Sequence, residues 1–244
     1  MLTVPPGLQS STLLKETLAS ELKGAITEGR LSPGQRVVES KWAGEFGVAQ
    51  ASIREAINLL IAEGFLVKLA GRSARVVNYR ERDIAHIYEV RAALEGLAAQ
   101  LACTSGADLS PLERALQSME NAVQTRDMKK IIESDLEFHT ALVQAPGNRL
   151  LADIGRKLLY PLFAFIEMRV VRSGQGPTAW IDDLGYHRGI LHIIREGNSS
   201  LASQFVQHCI GRFAASAYAV WENVDGSVEA HHKGKPSRGR KGKS

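Results

Sequence analysis

ESKWAGEFGVAQASIREAINLLIAEGFL, residues 39–66, is the stretch on which the fold turns. Wound as a helix from Ala51 to Ala62, at roughly 100° per residue, it brings Ile53, Ala56, Ile57 and Leu60 to one side, the i, i+3, i+4, i+7 stripe of a helix lying on a core. Ala51, Arg54, Glu55 and Asn58 fall opposite. Glu39 to Phe46 forms a shorter helix that carries Trp42, Ala43 and Phe46 inward. Gly47 follows where a chain leaves a helix through the left-handed conformation, which costs glycine least. Two helices joined by so short a turn cross steeply, and the second is free to present its polar side: helix-turn-helix geometry. An αα corner inside a larger helical core gives the same pattern, and these residues alone leave both open.

What comes next in the chain favours the first. Phe65 to Leu69 and Arg75 to Val77 are β-rich runs separated by Ala70, Gly71, Arg72 and Ser73, the pattern of a hairpin with a basic tip. A helix-turn-helix followed directly by a hairpin is a winged helix.

These residues resemble the GntR-type bacterial transcription regulators, and within them the FadR branch. The likeness is carried by Leu31, Pro33, Gly34 and Val37, by Ala43, Phe46, Gly47 and Val48, by Ile53, Arg54, Glu55, Ala56, Ile57 and Leu60, and by Glu63, Gly64, Phe65 and Gly71. It runs ungapped over roughly residues 15 to 77. Where the family usually has Ser-Arg-Thr-Pro, this chain has Ala49, Gln50, Ala51 and Ser52, so one phosphate or guanine contact is lost and the recognised sequence differs. The resemblance implies that Gln50, Ser52, Arg54 and Asn58 meet bases or phosphates. It places Gly71 and Arg72 at a wing tip that reaches a phosphate or the minor groove.

Length and composition set the wider frame. At 244 residues the chain has room for one small and one medium domain. Its most apolar run, Leu158 to Ile166, is bounded by Lys157 and Glu167, too short to span a membrane. MLTVPPGLQSS has no basic flank followed by an apolar core, so no secretory signal is expected. Cys103 and Cys209 lie far apart in helical patterns and read as buried thiols of a reducing, cytoplasmic compartment. The net charge of +4 is unevenly spread. Residues 1–80 hold 10 basic against 7 acidic side chains, residues 81–224 hold 14 against 17, and the remainder 6 against 2. A basic head on a slightly acidic second domain suits a DNA-binding protein that also does something else.

Along the chain, Leu14, Leu18, Leu22, Ala25 and Ile26 stripe a helix over Thr12 to Glu28, ended by Gly29. Helices are expected over Arg82–Ser105, with Ile84, Ile87, Leu94, Leu97, Ala98 and Leu101 inward, and over Leu109–Thr125, with Ser110 as cap before Pro111. Asp127 caps Met128–Gln144, and Asn148 caps a helix to about Val171. Ser173–Pro177 is a flexible loop, and helices over Ala179–Glu196 and Ser200–Val224 follow. The fold class is therefore mainly α. Residues 12–78 form a winged helix-turn-helix with a small β-hairpin, residues 81–224 an all-α antiparallel bundle, and residues 225–244 a disordered basic tail able to add affinity for DNA phosphates.

Asp135 and His139, four apart, project from one face of a helix, which is a common half of a metal site but more often a plain capped or solvated pair. The helical half looks like the FCD effector domain that follows the winged helix in the FadR branch. Arg91, Leu94, Glu95, Asp135, Phe138, His139, Asn148, His187, Ile190, Leu191, Ala202 and His208 carry that likeness. It implies a divalent ion bound by Asp135, His139, His187 and His208, with zinc the first choice and nickel or manganese the alternatives. It also implies a small carboxylic acid at the ion. His192, His231 and His232 match nothing in that pattern. Arg91 and Arg169 are candidates to hold the acid, although Glu95, one turn along, can pair with Arg91 equally well.

The function expected is a DNA-binding transcription regulator, a repressor, that works as a homodimer on double-stranded operator DNA and answers to a small organic acid at a metal site. A metal-dependent enzyme and a metal-responsive regulator without an organic effector are the alternatives. Glu137, two residues from both Asp135 and His139, points away from them and gives an enzyme no general base.

Overall fold

The computed structural model describes residues 11–68, 73–173 and 184–214. Three helices and a short hairpin form the amino-terminal part: α1 (Ser11–Thr27), α2 (Glu39–Phe46), α3 (Gln50–Ala62), β1 (Leu66–Val67) and β2 (Arg75–Val76). Gly47 ends α2 in the left-handed conformation at φ 66°, and Ala49 begins α3 in extended backbone. The three-residue turn is what sets the two helices across one another. Ile53, Ala56, Ile57 and Leu60 are buried against Leu18, Leu22, Ala25 and Ile26 of α1, the face that the periodicity predicts.

Among the described residues the wing pairs over a shorter span than Phe65 to Leu69 against Arg75 to Val77, with Leu69 itself outside them. Only Leu66↔Val76 and Val67↔Arg75 pair as strands, although the Val77 amide still donates to the Phe65 carbonyl at 3.0 Å. A third strand position is added by residues 34–37, where the Val37 amide donates to the Ala74 carbonyl and the Val76 amide to the Gln35 carbonyl. The hairpin tip, with Gly71 and Arg72, lies outside the described residues, as does the tail at 225–244.

The second part is a bundle of α4 (Glu81–Ala102), α5 (Ser110–Thr125), α6 (Met128–Gln144), α7 (Arg149–Ser173), α8 (Leu184–Arg195) and α9 (residues 199–214). Asp127 accepts the Lys130 amide at 3.1 Å and Asn148 the Leu151 amide at 3.1 Å, so two expected caps are present. Ser110 is not the cap of α5. Asp108 accepts both its amide and its hydroxyl, which draws Ser110 into the helix. α4 stops short of Ser105, because the amides of Thr104 and Ser105 turn back to the Leu101 carbonyl. Ser173 belongs to α7, and the loop and helix start expected between it and Leu184 lie outside the described residues.

The inward face of α4 differs from the expected one. Ile84, Tyr88, Arg91, Glu95, Ala98 and Ala102 are buried, whereas Leu97 is 42% exposed and Leu94 only partly covered. Small residues at 98, 99 and 102 let neighbouring helices approach, and the two long charged side chains fill the deeper space.

The two parts touch through α7. Pro161, inside that helix, packs on Gly64 at the foot of α3, where φ is +85° and a Cβ would stand 2.9 Å from Pro161 Cγ. Lys23 Nζ lies 4.3 Å above the Phe65 ring and 5.0 Å above the Tyr160 ring, and 3.5 Å from Glu63 Oε2. Gly64→Ala is expected to cost about 1–3 kcal/mol, through backbone strain and crowding of Pro161. Urea unfolding with a lowered midpoint and an unchanged slope is the measurement.

Candidate metal centre and nucleic-acid interface

The polar centre of the bundle is assembled from three helices. On α6, Asp135 and His139 are four apart and share a face, as their spacing requires. His187 of α8 meets them: its Nε2 stands 3.0 Å from Asp135 Oδ1, and His139 Nε2 stands 3.1 Å from the same oxygen. One donor atom from each of the three lies within 4.8 Å of the others. Phe138 meets His187 edge-on with centroids 4.8 Å apart, and Phe213 stacks on His187 at 5.6 Å. Water is largely excluded, since His139 and His187 are both buried.

Across the His139 ring lies a second acid. Glu95 Oε2 is 2.5 Å from His139 Nδ1, and Glu95 Oε1 is 2.6 Å from Arg91 Nε. Arg91 is enclosed, its guanidinium carbon 5.3 Å from the Phe163 ring and 5.4 Å from that of Tyr88.

Burial alone raises a carboxyl pKa, but here nearby positive partners outweigh it. Glu95 is held below the usual range by Arg91 and His139. Asp135 is held below it by His139 and His187. His139 is pushed down by burial and by Arg91, but Glu95 and Asp135 prevail and raise it. Tyr88 is pushed up to about 12, chiefly by burial.

Three buried side-chain polar atoms have no hydrogen-bond partner among the described residues: Arg91 Nη2, His139 Nε2 and Thr140 Oγ1. The second stands near Asp135 Oδ1 without the alignment of a hydrogen bond. His187 Nε2 is hydrogen-bonded to that same oxygen at 3.0 Å. Two imidazole nitrogens and a carboxylate oxygen gathered within 4.8 Å are a donor set of the kind that can hold a divalent ion.

His208 does not join them. It is exposed on α9, whose buried face carries Ala202, Val206, Cys209 and Ile210, with Phe213 a turn farther along reaching the imidazoles. One step off that stripe, position 208 turns to solvent. Of the four side chains that the sequence puts forward as ligands, three converge in the structure and His208 does not. Arg91 does lie beside the centre and does pair with Glu95, while Arg169 sits on α7 with its side chain outside the described part. Glu137 is exposed, as its spacing predicts. Glu95, Phe163 and Phe213 are the residues that sequence reasoning left out of the site.

In the amino-terminal part, Gln50, Arg54 and Asn58 are exposed along α3, with Ser52 half-buried. Arg54 donates from Nε and Nη2 to Glu39 Oε2, at 3.1 and 2.8 Å, which ties the second helix of the motif to the first.

Among the described residues no helix is long and apolar enough to cross a membrane. Residues 14–76 match the family of bacterial regulatory proteins, gntR family, and residues 86–212 match the FCD domain. An uncharacterized HTH-type transcriptional regulator, YdhC of Bacillus subtilis (strain 168), is 30% identical over 191 residues, 77% of this chain and 83% of that protein. A probable D-xylose utilization operon transcriptional repressor of Paenarthrobacter nicotinovorans is 26% identical over 227 residues, 91% of this chain and 98% of that protein. The solved structure of E. coli McbR/YncC superposes with a TM-score of 0.70 at 20% identity, over 85% of this chain and 98% of that one, and shares the fold. The chain belongs to the GntR family and is a transcriptional regulator in which a winged helix-turn-helix precedes an FCD domain.

Proposed function

We propose that this regulator is a repressor that grips operator DNA as a homodimer and answers to a small carboxylic acid bound beside a divalent ion. Residues 12–78 would read DNA, and residues 81–224 would hold the effector and join the protomers. The observation that carries the reading is the convergence of Asp135, His139 and His187, to which Arg91 is linked through Glu95 and brings a buried Nη2 without a hydrogen-bond partner among the described residues.

These three side chains would hold the ion, which, when bound, supplies positive charge and open positions for an oxygen ligand. With neutral imidazoles, Arg91 offsets one of the two carboxylates, so the loaded centre carries one net positive charge. A monoanion completes it. Arg91 Nη2 would take the acid's oxygen, and the surrounding Phe138, Phe163 and Phe213 rings would favour a small, partly apolar body.

α7 supports a route between the two functions. Its Phe163 meets His139 and Arg91, and Tyr160 and Pro161, about a turn earlier, meet Lys23 and Gly64. A shift of α7 on effector binding would move the foot of the recognition helix, and a ligand that prefers one arrangement of the heads would change operator affinity. At the DNA, Gln50, Ser52, Arg54 and Asn58 would meet bases or phosphates in the major groove, with Gly71 and Arg72 contributing from the wing. Ala49 makes no side-chain cap bond to α3, and the first-turn amides would suit a phosphate.

Metal content after purification, followed by a thermal-shift screen of small carboxylic acids, tests the reading. Zinc, nickel or manganese should be present. An acid at a hundred times its Kd should stabilise the loaded protein by about 2.7 kcal/mol. An ion with no response to any carboxylate would favour a regulator that senses the ion itself.

A further inference from the structure

We propose that Glu95 is the positioning residue of this centre, a single carboxylate that sets which face of His139 meets the ion and how Arg91 points. The inference rests on the metal-site reading above and deepens it.

The two oxygens of Glu95 have separate partners. Oε2 takes the N–H of His139 Nδ1 and Oε1 takes the N–H of Arg91 Nε. With an ion on one nitrogen the imidazole is neutral and keeps a single N–H on the other, and a carboxylate accepts but never donates. Glu95 therefore keeps the proton of His139 on Nδ1 and leaves the lone pair on Nε2, the atom that stands 3.1 Å from Asp135 Oδ1 and lacks a hydrogen bond. Without Glu95 the ring could carry its proton on Nε2, or flip, and either change would take the ligand lone pair away from Asp135 and His187. The same carboxylate holds the Arg91 guanidinium through Nε, and Nη2 is a buried nitrogen without a hydrogen-bond partner among the described residues. Glu95 is itself 1% exposed and sits one turn from Arg91 on α4, a helix that supplies no ligand to the triad. Hydrogen bonds of this kind, made to the far nitrogen of a ligating histidine, orient the ring and raise its basicity.

Two measurements test the inference on the full chain. In zinc-loaded protein labelled with 15N-histidine, long-range 1H–15N spectra read which nitrogen of His139 binds the ion. Zinc on Nε2 with a proton on Nδ1 is expected, and zinc on Nδ1 would overturn the proposal. In chelator competition, Glu95→Gln should lose about 10- to 100-fold in zinc affinity with its far-UV spectrum unchanged, whereas affinity within about twofold of wild type would overturn it. If Glu95→Gln alone does not fold, Arg91→Met with Glu95→Gln, which leaves no lone buried charge, is compared with Arg91→Met under the same criterion. A wild-type chain that takes up no zinc, nickel or manganese would refute the metal-site reading itself, and this inference with it. A chain that binds zinc yet ignores the Glu95 substitution refutes the inference alone.

Discussion

Replacing His139 and His187 together with alanine is expected to yield a folded protein that no longer retains a divalent ion and no longer responds to carboxylic acids, while still binding DNA. Both imidazoles are removed because two remaining donors, completed by water, can still hold a metal weakly. With Asp135 alone left of the triad, affinity should fall by several orders of magnitude, since each ligand bond to a zinc-like ion is a large part of a binding free energy of about 10–16 kcal/mol. DNA binding survives because α1, α2 and α3 have their own packed core, built from Leu18, Leu22, Trp42, Phe46, Ile53 and Leu60, to which neither histidine contributes. Elemental analysis of the purified double variant is the check, and full metal occupancy would remove these side chains from the ligand set.

Arg54→Ala is the second large effect expected, a loss of roughly tenfold to hundredfold in affinity for the operator. Arg54 is exposed on α3 and bridged to Glu39, so its guanidinium is held against the first helix rather than trailing in solvent. That bridge shortens the search for a bound geometry, and it also means that Arg54 must share or release Glu39 to reach a guanine edge. A base contact predicts that the loss falls on the specific duplex and leaves a scrambled one little changed. A phosphate contact predicts a uniform loss and a shallower salt dependence. Fluorescence anisotropy with both duplexes at two salt concentrations separates the two, and unchanged affinity would place Arg54 outside the interface.

Much of the reader domain was legible in the sequence because its signals are local. Gly47 marks the end of α2 by the conformation it must adopt, and the apolar stripe of α3 has no competing face, so both helices fall close to where periodicity puts them. Asp127 and Asn148 announce helix starts through side chains that can bond only one turn away. Ser110 shows the limit of that rule, since Asp108, two residues earlier, is the better acceptor for its amide.

The bundle was harder to read for a different reason. Leu94, Leu97 and Leu101 suggested one buried face of α4, but helix–helix spacing favoured Ala98, Ala99 and Ala102, and that rotation takes Arg91 and Glu95 inside. A charged pair on the stripe that also holds Ile84 and Tyr88 was the available sign that this face is polar by design of the site. His208 is similar. Histidine spacing says nothing about which side of a helix meets the axis, whereas Ala202, Val206, Cys209 and Ile210 together define that side and leave 208 off it.

The most direct measurement is the affinity of the metal-loaded protein for duplex DNA from the region flanking its own coding sequence, with and without the carboxylic acid that stabilises it most. A change in Kd of about 5- to 150-fold, abolished by His139→Ala with His187→Ala, is the predicted result, with weaker binding in the presence of acid if the protein represses. An identical Kd in both conditions, for an acid shown to bind, would contradict the claim that the centre in the bundle governs the grip on DNA.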